Sequence, residues 1–162
     1  MKIGLLRHFK VKAAYPEKFW MRGDEVEEWL DRYDECEDLE VVDLQVGDWD
    51  KCYSSPLYRA LRTAENVFEG EIITLKELEE FKPRLSRNLK LPFFVWAMYC
   101  RFGLKKQKSK FAQKIREVLP LLTQGKVLVV SHYFVMQALE RMLVAEGWKK
   151  AKEEQMTIYL KP

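Results

Sequence analysis

The chain has 162 residues, of which 48% are hydrophobic and 33% are charged, and its net charge is +3. This composition is typical of a globular domain with a core of its own, and the near balance of charges does not argue for a nucleic-acid partner. The longest aromatic and apolar stretch, residues 91–98, is too short to span a bilayer. Three widely spaced cysteines favour neither a disulfide framework nor a zinc site. We therefore expect one cytoplasmic domain over residues 1–162, with no membrane or nucleic-acid partner.

The first third of the chain predicts a buried strand and then a helix. Residues 2–6 (KIGLL) form a short apolar run of the kind found in central strands. After a loop, apolar residues at helical spacing predict a helix that Asp24 caps and that ends near Tyr33. The acidic run at 34–40 (DECEDLE) is most simply interpreted as a solvated turn.

The middle of the chain predicts two short strands, a helix and an insertion. Residues 52–54 form a strand, and Pro56 suits the first turn of a helix that runs to Phe68. The buried stripe of this helix is predicted from its apolar spacing to be Leu57, Leu61, Ala64 and Phe68. Residues 72–75 predict the next strand. In residues 83–108, basic residues alternate with aromatic ones, and we expect a helical insertion that forms a lid over the site.

The last third predicts a helix, a strand, a helix and a strand. Ser109 is expected to cap the first helix, and Gly125 to end it. A strand over 126–130 (KVLVV), a helix over 134–146 and a strand over 156–160 follow. Strands that alternate with helices favour an α/β domain with a mostly parallel sheet and helices on both faces.

The chain has two histidines, and both follow predicted strands. His8 comes after the first strand, beside Arg7, and His132 comes after Ser131 at the end of the 126–130 strand. Open α/β sheets bind their ligands at the carboxyl ends of their strands, and histidine gains and loses a proton near neutral pH. The pattern therefore predicts a site built from both ends of the chain.

A third segment with polar residues lies between the two histidines. Residues 54–65 read SSPLYRALRTAE and open the helix after the second strand. With Arg7-His8 before it and Ser131-His132 after it, this segment resembles the histidine phosphatase superfamily, the phosphoglycerate-mutase-like group. That family has an Arg-His pair, an S-P-L-x-R-A-x-x-T-A-E segment and a late Ser-His in this order. The resemblance extends to about Glu146, and the insertion is its poorly matched part.

The resemblance implies a phosphoglycerate-mutase-like fold and a reaction through a phosphohistidine, without cofactor or metal. His8 is then the nucleophile, Arg7 and Arg59 hold the phosphoryl oxygens, and His132 completes the pocket as a catalytic donor. Arginine suits this role because its guanidinium is always charged and can pair with phosphate through two hydrogen bonds. Arg62, three residues further along the helix, is expected at the surface.

The resemblance also implies a proton donor for the leaving oxygen. Many family members carry it as a Glu two residues after a Leu, just beyond a short strand. Glu77 in Leu75-Lys76-Glu77 fits that position and is the favoured acid, and Glu79 and Glu80 are close alternatives. A general acid needs a raised pKa, which depends on its surroundings in the fold.

The chain departs from the family pattern after each histidine. Phe9 and Tyr133 stand where small glycines are common. Their bulk is expected to narrow the pocket and influence substrate choice, or to mark a member with weak activity.

The predicted function is hydrolysis of a small phosphorylated metabolite, a phosphomonoester, through phospho-His8. A phosphoglycerate-mutase-type transfer and a catalytically weak module that binds a phospho-ligand are the alternatives. The oligomeric state is left open.

Overall fold

The computed structural model describes residues 1–80, 82–106, 108–152 and 156–161 of the chain. Its strands are β1 (Lys2–Arg7), β2 (Lys10–Val11), β3 (Trp20–Arg22), β4 (Leu39–Glu40), β5 (Lys51–Ser54), β6 (Ile72–Thr74), β7 (Lys90–Pro92), β8 (Lys126–Ser131), β9 (Lys149–Lys152) and β10 (Thr157–Leu160). Its helices are α1 (Gly23–Glu35), α2 (Tyr58–Val67), α3 (Phe93–Lys106), α4 (Lys108–Leu122) and α5 (Tyr133–Ala145), with a short 3-10 helix at Lys76–Leu78. Within the described ranges, no helix is both long and apolar enough to cross a bilayer.

The central sheet has six strands in the order β6-β5-β8-β1-β10-β9. The first four are parallel, whereas β10 runs antiparallel to β1, and β9 antiparallel to β10. In the registers of β8 with its two neighbours, Ser131 lies opposite Arg7 and Val130 opposite Ser54. The sequence prediction of a mostly parallel sheet is confirmed, and the carboxyl ends of four strands lie side by side.

Helices cover both faces of this sheet, as predicted. Successive side chains of a strand point to opposite faces. In β8, Val127 and Val129 pack with α4 and α5, while Leu128 and Val130 pack with α2. All four are fully buried, which is why this strand reads as one continuous apolar run rather than an alternating one.

Helix α2 differs from its prediction in where it starts and in which face it buries. It begins at Tyr58, so Pro56 precedes the helix instead of standing in its first turn. Its buried residues are Arg59, Ala60, Thr63 and Ala64, whereas Leu57, Leu61 and Phe68 are only half-buried. Small side chains on the inner face let the helix lie close to the sheet, and this brings Arg59 inside the fold.

Two further capping residues were wrongly predicted. The N-cap of α1 is Arg22, whose N–H donates to the Glu25 carboxylate at 2.8 Å, so Asp24 lies within the first turn. Helix α4 begins at Lys108, so Ser109 also lies inside its helix. Strands β2, β3, β4, β7 and β9 were not predicted, because each has only two to four residues and includes a charged one, so none of them forms an apolar run.

The predicted insertion at 83–108 is helical only in its second half. Strand β7 pairs with β3, and α3 then packs against α1 through a cluster that includes Val26 and Trp96. The indole N–H of Trp96 donates to the Met21 carbonyl at 2.8 Å, which ties α3 to β3. Residue 107 lies outside the described residues. That the insertion forms a lid over the site stays a prediction.

Candidate active site

The predicted site residues follow neighbouring strand ends at one edge of the sheet. The His8 N–H donates to the Ser131 carbonyl at 3.1 Å, and the Ser55 N–H donates to the Val130 carbonyl at 3.0 Å. These bonds extend the ladder of the sheet by one residue into the loops. The segments after β1, β5 and β8 therefore leave the sheet together, and their side chains share one space.

His8 is buried and held in one tautomer. Its Nδ1 lies 2.6 Å from the carbonyl oxygen of Phe9, and because a carbonyl can only accept, Nδ1 carries the hydrogen and Nε2 carries the lone pair. Burial lowers the pKa of His8 to about 4; the hydrogen bond to Phe9 opposes this shift, and the charges of Arg59 and Arg7 reinforce it. At neutral pH His8 is an uncharged imidazole with a free Nε2 lone pair.

His132 lies beside His8 and is also neutral. The two ring centroids are 5.0 Å apart, and His132 is fully buried at the N-cap of α5. Its Nε2 lies 2.9 Å from the Ser55 hydroxyl, while its Nδ1 has no hydrogen-bond partner among the described protein atoms. Burial, followed by the positive charge of Arg59, lowers the pKa of His132 to about 2.

Arg59 is 4% exposed and forms an ion pair with Asp34. Its Nη1 donates to Asp34 Oδ1 at 2.7 Å, and its guanidinium carbon lies 5.5 Å from the centre of the Tyr33 ring. The Nε of Arg59 is buried and has no partner among the described atoms. The second oxygen of Asp34 binds Lys82 at 3.0 Å. A buried arginine is thus neutralised by a carboxylate, while part of its guanidinium stays unpaired.

The Asp34 ion pair corrects the interpretation of the acidic run as a solvated turn. Helix α1 extends to Glu35, and the Asp34 side chain is only 17% exposed. A signal for this was present in the sequence. Position 34 continues the spacing of Val26 and Leu30, which face the core on α1, and a buried arginine requires an anionic partner.

Two other arginines have different environments. Arg7 is exposed, and its guanidinium carbon lies 5.7 Å from the centre of the Tyr133 ring. Arg62 is exposed and pairs with Glu65 on the outer surface of α2 at 3.0 Å.

Phe9 packs its side chain into a small cluster that includes Val11 and Leu39. Its bulk is thus accommodated by apolar neighbours, while its carbonyl orients His8.

Among the three candidate acids, Glu80 has the clearest contacts with the site. Its carboxylate accepts a hydrogen bond from the Phe134 N–H at the start of α5, at 3.4 Å. Burial raises the pKa of Glu80, and the hydrogen bond from Phe134, followed by the charges of Arg59 and Arg7, partly opposes this shift. The Ser131 hydroxyl donates to the Leu78 carbonyl at 2.7 Å, which fastens this segment to β8.

Glu77 lies within the 3-10 helix, and none of the contacts described for it reaches a histidine or arginine of the site. The sequence pattern placed Glu77 just beyond a short strand and left Glu79 and Glu80 as close alternatives. A Glu two residues after a Leu occurs at Leu75-Lys76-Glu77 and again at Leu78-Glu79-Glu80. The contact with Phe134 at the start of α5 distinguishes Glu80 from Glu77.

A cavity of about 590 Å³ adjoins the site at Tyr33. It lies between residues 13–18 and α1, and Tyr33 is common to its wall and to the surroundings of Arg59.

Within the described ranges, no three His, Cys, Asp or Glu side chains are grouped as metal ligands. Cys52 is fully buried, and burial raises the pKa of its thiol to about 12, which is typical of a structural cysteine rather than a reactive one.

Comparison with known proteins adds a structural likeness. The chain matches no protein-family model and no curated protein. It is similar to the crystal structure of phosphoserine phosphatase in complex with 3-phosphoglyceric acid from Entamoeba histolytica, with 16% sequence identity and a TM-score of 0.48. The match covers 89% of this chain and 80% of that chain. A likeness of this degree says nothing about the activity of this chain.

The neutral histidines predict a loss of stability in acid. In the unfolded chain each histidine binds a proton near pH 6.5, whereas the fold holds the pKa of His8 at about 4 and that of His132 at about 2. Lowering the pH from 6.5 towards 4 therefore favours the unfolded state, by at most about 1.4 kcal/mol per pH unit for each histidine. We expect urea unfolding of His132→Gln, measured across this range, to show a shallower decline than the wild type. Parallel declines in the two proteins would contradict the assignment.

Proposed function

We propose that this protein hydrolyses a phosphomonoester through a phosphohistidine on His8. The observation that carries the proposal is the state of His8: its Nδ1–H is bound to the Phe9 carbonyl, and its Nε2 is an unprotonated nucleophile at neutral pH. Two arginines lie within electrostatic reach of this nitrogen. An uncharged nucleophile beside preorganised cations is what phosphoryl transfer requires, since most of the catalysis comes from positioning and charge stabilisation.

The reaction consists of two displacements at phosphorus. In the first, the His8 Nε2 lone pair forms a bond to phosphorus while the P–O bond to the alcohol breaks, and the general acid gives its proton to the leaving oxygen. In the second, a water oxygen attacks phosphorus, the P–N bond breaks with its electrons returning to Nε2, and the carboxylate accepts the proton from water. Inorganic phosphate then leaves, and both His8 and the acid are restored.

Arg7 and Arg59 have complementary parts in this mechanism. Arg7 is exposed and can meet the incoming dianion, whereas Arg59 is buried and fixed by Asp34. A guanidinium held in place before the reaction stabilises developing charge without reorganisation. His132 adds a neutral imidazole next to His8, and it serves as a donor at Nδ1 when the Ser55 hydroxyl donates to its Nε2.

We assign the proton donor to Glu80, with Glu77 as the alternative. A protonated carboxyl suits an acid, and burial of Glu80 raises its pKa in that direction. An alkoxide leaving group needs a proton as its bond breaks, whereas nitrophenolate departs without one. We therefore expect Glu80→Gln to slow alkyl phosphate hydrolysis by roughly 10²-fold or more and nitrophenyl phosphate hydrolysis much less.

Glu77→Gln is the matched control for this experiment, because the two residues lie three positions apart and carry the same group. It should leave the ratio of the two rates unchanged. A selective loss of alkyl phosphate hydrolysis in Glu77→Gln, with Glu80→Gln unaffected, would return the role to Glu77.

The function itself is tested by phosphate release from nitrophenyl phosphate with and without a chelator. Turnover that persists in chelator supports the metal-independent mechanism. Product analysis with a phosphorylated hydroxy acid separates hydrolysis, which frees phosphate, from mutase-type transfer, which yields an isomeric phosphoester. Binding of phosphate without turnover of any substrate would instead identify a phospho-ligand-binding module.

A further inference from the structure

A stripe of apolar side chains on α3 faces the solvent. Phe94, Met98 and Phe102 follow each other at four-residue spacing, so they share one side of the helix. They are 57, 53 and 54% exposed, whereas Trp96 on the inner side is 1% exposed. Helix α3 is therefore apolar on both its inner and its outer side, which is unusual for a surface helix of a monomeric domain.

The stripe continues onto the residues around the start of β3. The Phe19 ring lies 6.2 Å from the Phe94 ring and 5.9 Å from the Trp20 ring, and both Phe19 and Trp20 are more than half exposed. We call this continuous surface, made of Phe19, Trp20, Phe94, Met98 and Phe102, the α3 face. Contiguous exposed apolar surface of this kind marks interaction sites.

Positive charge is concentrated in the part of the sequence that contains α3. Residues 81–116 contain eleven Lys and Arg residues and no Asp or Glu, although the whole chain has 28 basic and 25 acidic residues. The rest of the chain is therefore net negative. Lys90, just before α3, and Arg101, between Met98 and Phe102 in sequence, are both exposed. The α3 face thus combines exposed aromatic side chains with the nearby charges of Lys90 and Arg101, whereas Lys82 and Arg87 of the same segment pair with acids of α1.

We propose that the α3 face docks on the surface of an anionic lipid bilayer. Aromatic and thioether side chains enter the boundary between headgroups and acyl chains, while lysine and arginine contact the anionic headgroups. This docking uses an exposed face rather than a spanning helix. It also revises the sequence-based expectation that the protein has no membrane partner, and it does not depend on the proposed phosphatase activity.

Two other occupants fit these observations less well. A second copy of the chain would bring two strongly basic segments face to face, which like-charge repulsion opposes. Single-stranded nucleic acid would need ring faces free for base stacking. Here the Phe19 and Trp20 rings meet edge to face, at 78°, and Met98 supplies no ring at all.

The proposal is tested by flotation of the full chain with vesicles. We expect it to float with vesicles of phosphatidylcholine and phosphatidylserine, to stay unbound with phosphatidylcholine alone, and to detach as salt is raised. The double variant Phe94→Gln/Phe102→Gln should bind at least about ten-fold more weakly. Lys90→Gln and Arg101→Gln should each weaken binding about five-fold.

Matched controls change equally exposed residues elsewhere. Val41→Gln and Val144→Gln, at positions 55 and 53% exposed, should bind as the wild type does, and so should Lys51→Gln. All replaced side chains are exposed, and circular dichroism checks that each variant is folded. Absence of flotation, flotation that the α3-face variants leave unchanged, or equal binding to both vesicle types would overturn the proposal. Binding to a single-stranded oligonucleotide that is tighter than binding to the vesicles would assign the α3 face to nucleic acid. Dimerisation that Phe94→Gln/Phe102→Gln abolishes would assign it to a second copy of the chain.

Discussion

His8→Ala is expected to abolish phosphate release and the covalent phosphoenzyme together. Removal of a covalent nucleophile costs on the order of 10⁴-fold or more in turnover, because no other activated nucleophile replaces the imidazole. The geometry makes His8 the better nucleophile of the two histidines. Its Nδ1–H is fixed by the Phe9 carbonyl, whereas the Nε2 of His132 is engaged by the Ser55 hydroxyl.

The measurement is a rapid acid quench during turnover, followed by mass spectrometry of the intact protein. A second sample tests whether the bound phosphoryl group, the label, survives in alkali. A phosphohistidine is acid-labile and alkali-stable, so the quench must be brief and cold. Because the chain has only two histidines, the assignment has two outcomes. The label should vanish in His8→Ala and persist, more slowly formed, in His132→Ala. A label that survives in His8→Ala would place the nucleophile at His132 and overturn the mechanism proposed above.

Arg59→Ala is expected to lower kcat/KM far more than Arg62→Ala. Loss of a preorganised donor to the transferred phosphoryl group costs about 2–4 kcal/mol of transition-state stabilisation, which is roughly 30- to 1000-fold in rate. Arg62 lies one turn along the same helix, is exposed and pairs with Glu65, so its removal should change the rate less than about three-fold. The two variants remove the same side chain from α2, and they differ in burial and in proximity to His8.

Folding and charge must be separated in this comparison. Arg59→Ala leaves Asp34 with Lys82 as its remaining partner, and the urea midpoint of the variant measures what that costs. Arg59→Lys keeps the positive charge but loses the planar guanidinium, so we expect it to recover only part of the rate. Equal losses of activity in Arg59→Ala and Arg62→Ala, with both proteins folded, would show that Arg59 does not contact the phosphoryl group.

The sequence determined the two buried strands at the centre of the sheet and the end of the sheet at which the predicted site lies. Strands β1 and β8 are buried on both faces, and such strands appear in sequence as uninterrupted apolar runs that end abruptly at a polar residue. The residues after each run, His8 and His132, could therefore be located at the carboxyl ends of strands without any coordinates, whereas the structure shows that the two strands are neighbours. The same local logic predicted helices on both faces of the sheet.

Only the tertiary structure decided how the site is completed. Asp34 and Arg59 are 25 positions apart, and no local pattern pairs a residue at the end of one helix with a residue at the start of another. The contact that distinguishes Glu80 from Glu77 likewise depends on the start of α5, where the Phe134 N–H donates to the Glu80 carboxylate. Burial raises the pKa of Glu80, and that hydrogen bond opposes the shift. Short-range periodicity reports which face of an element is apolar. It does not report which polar groups meet once those faces are buried, because ion pairs and pKa shifts depend on distances across the fold.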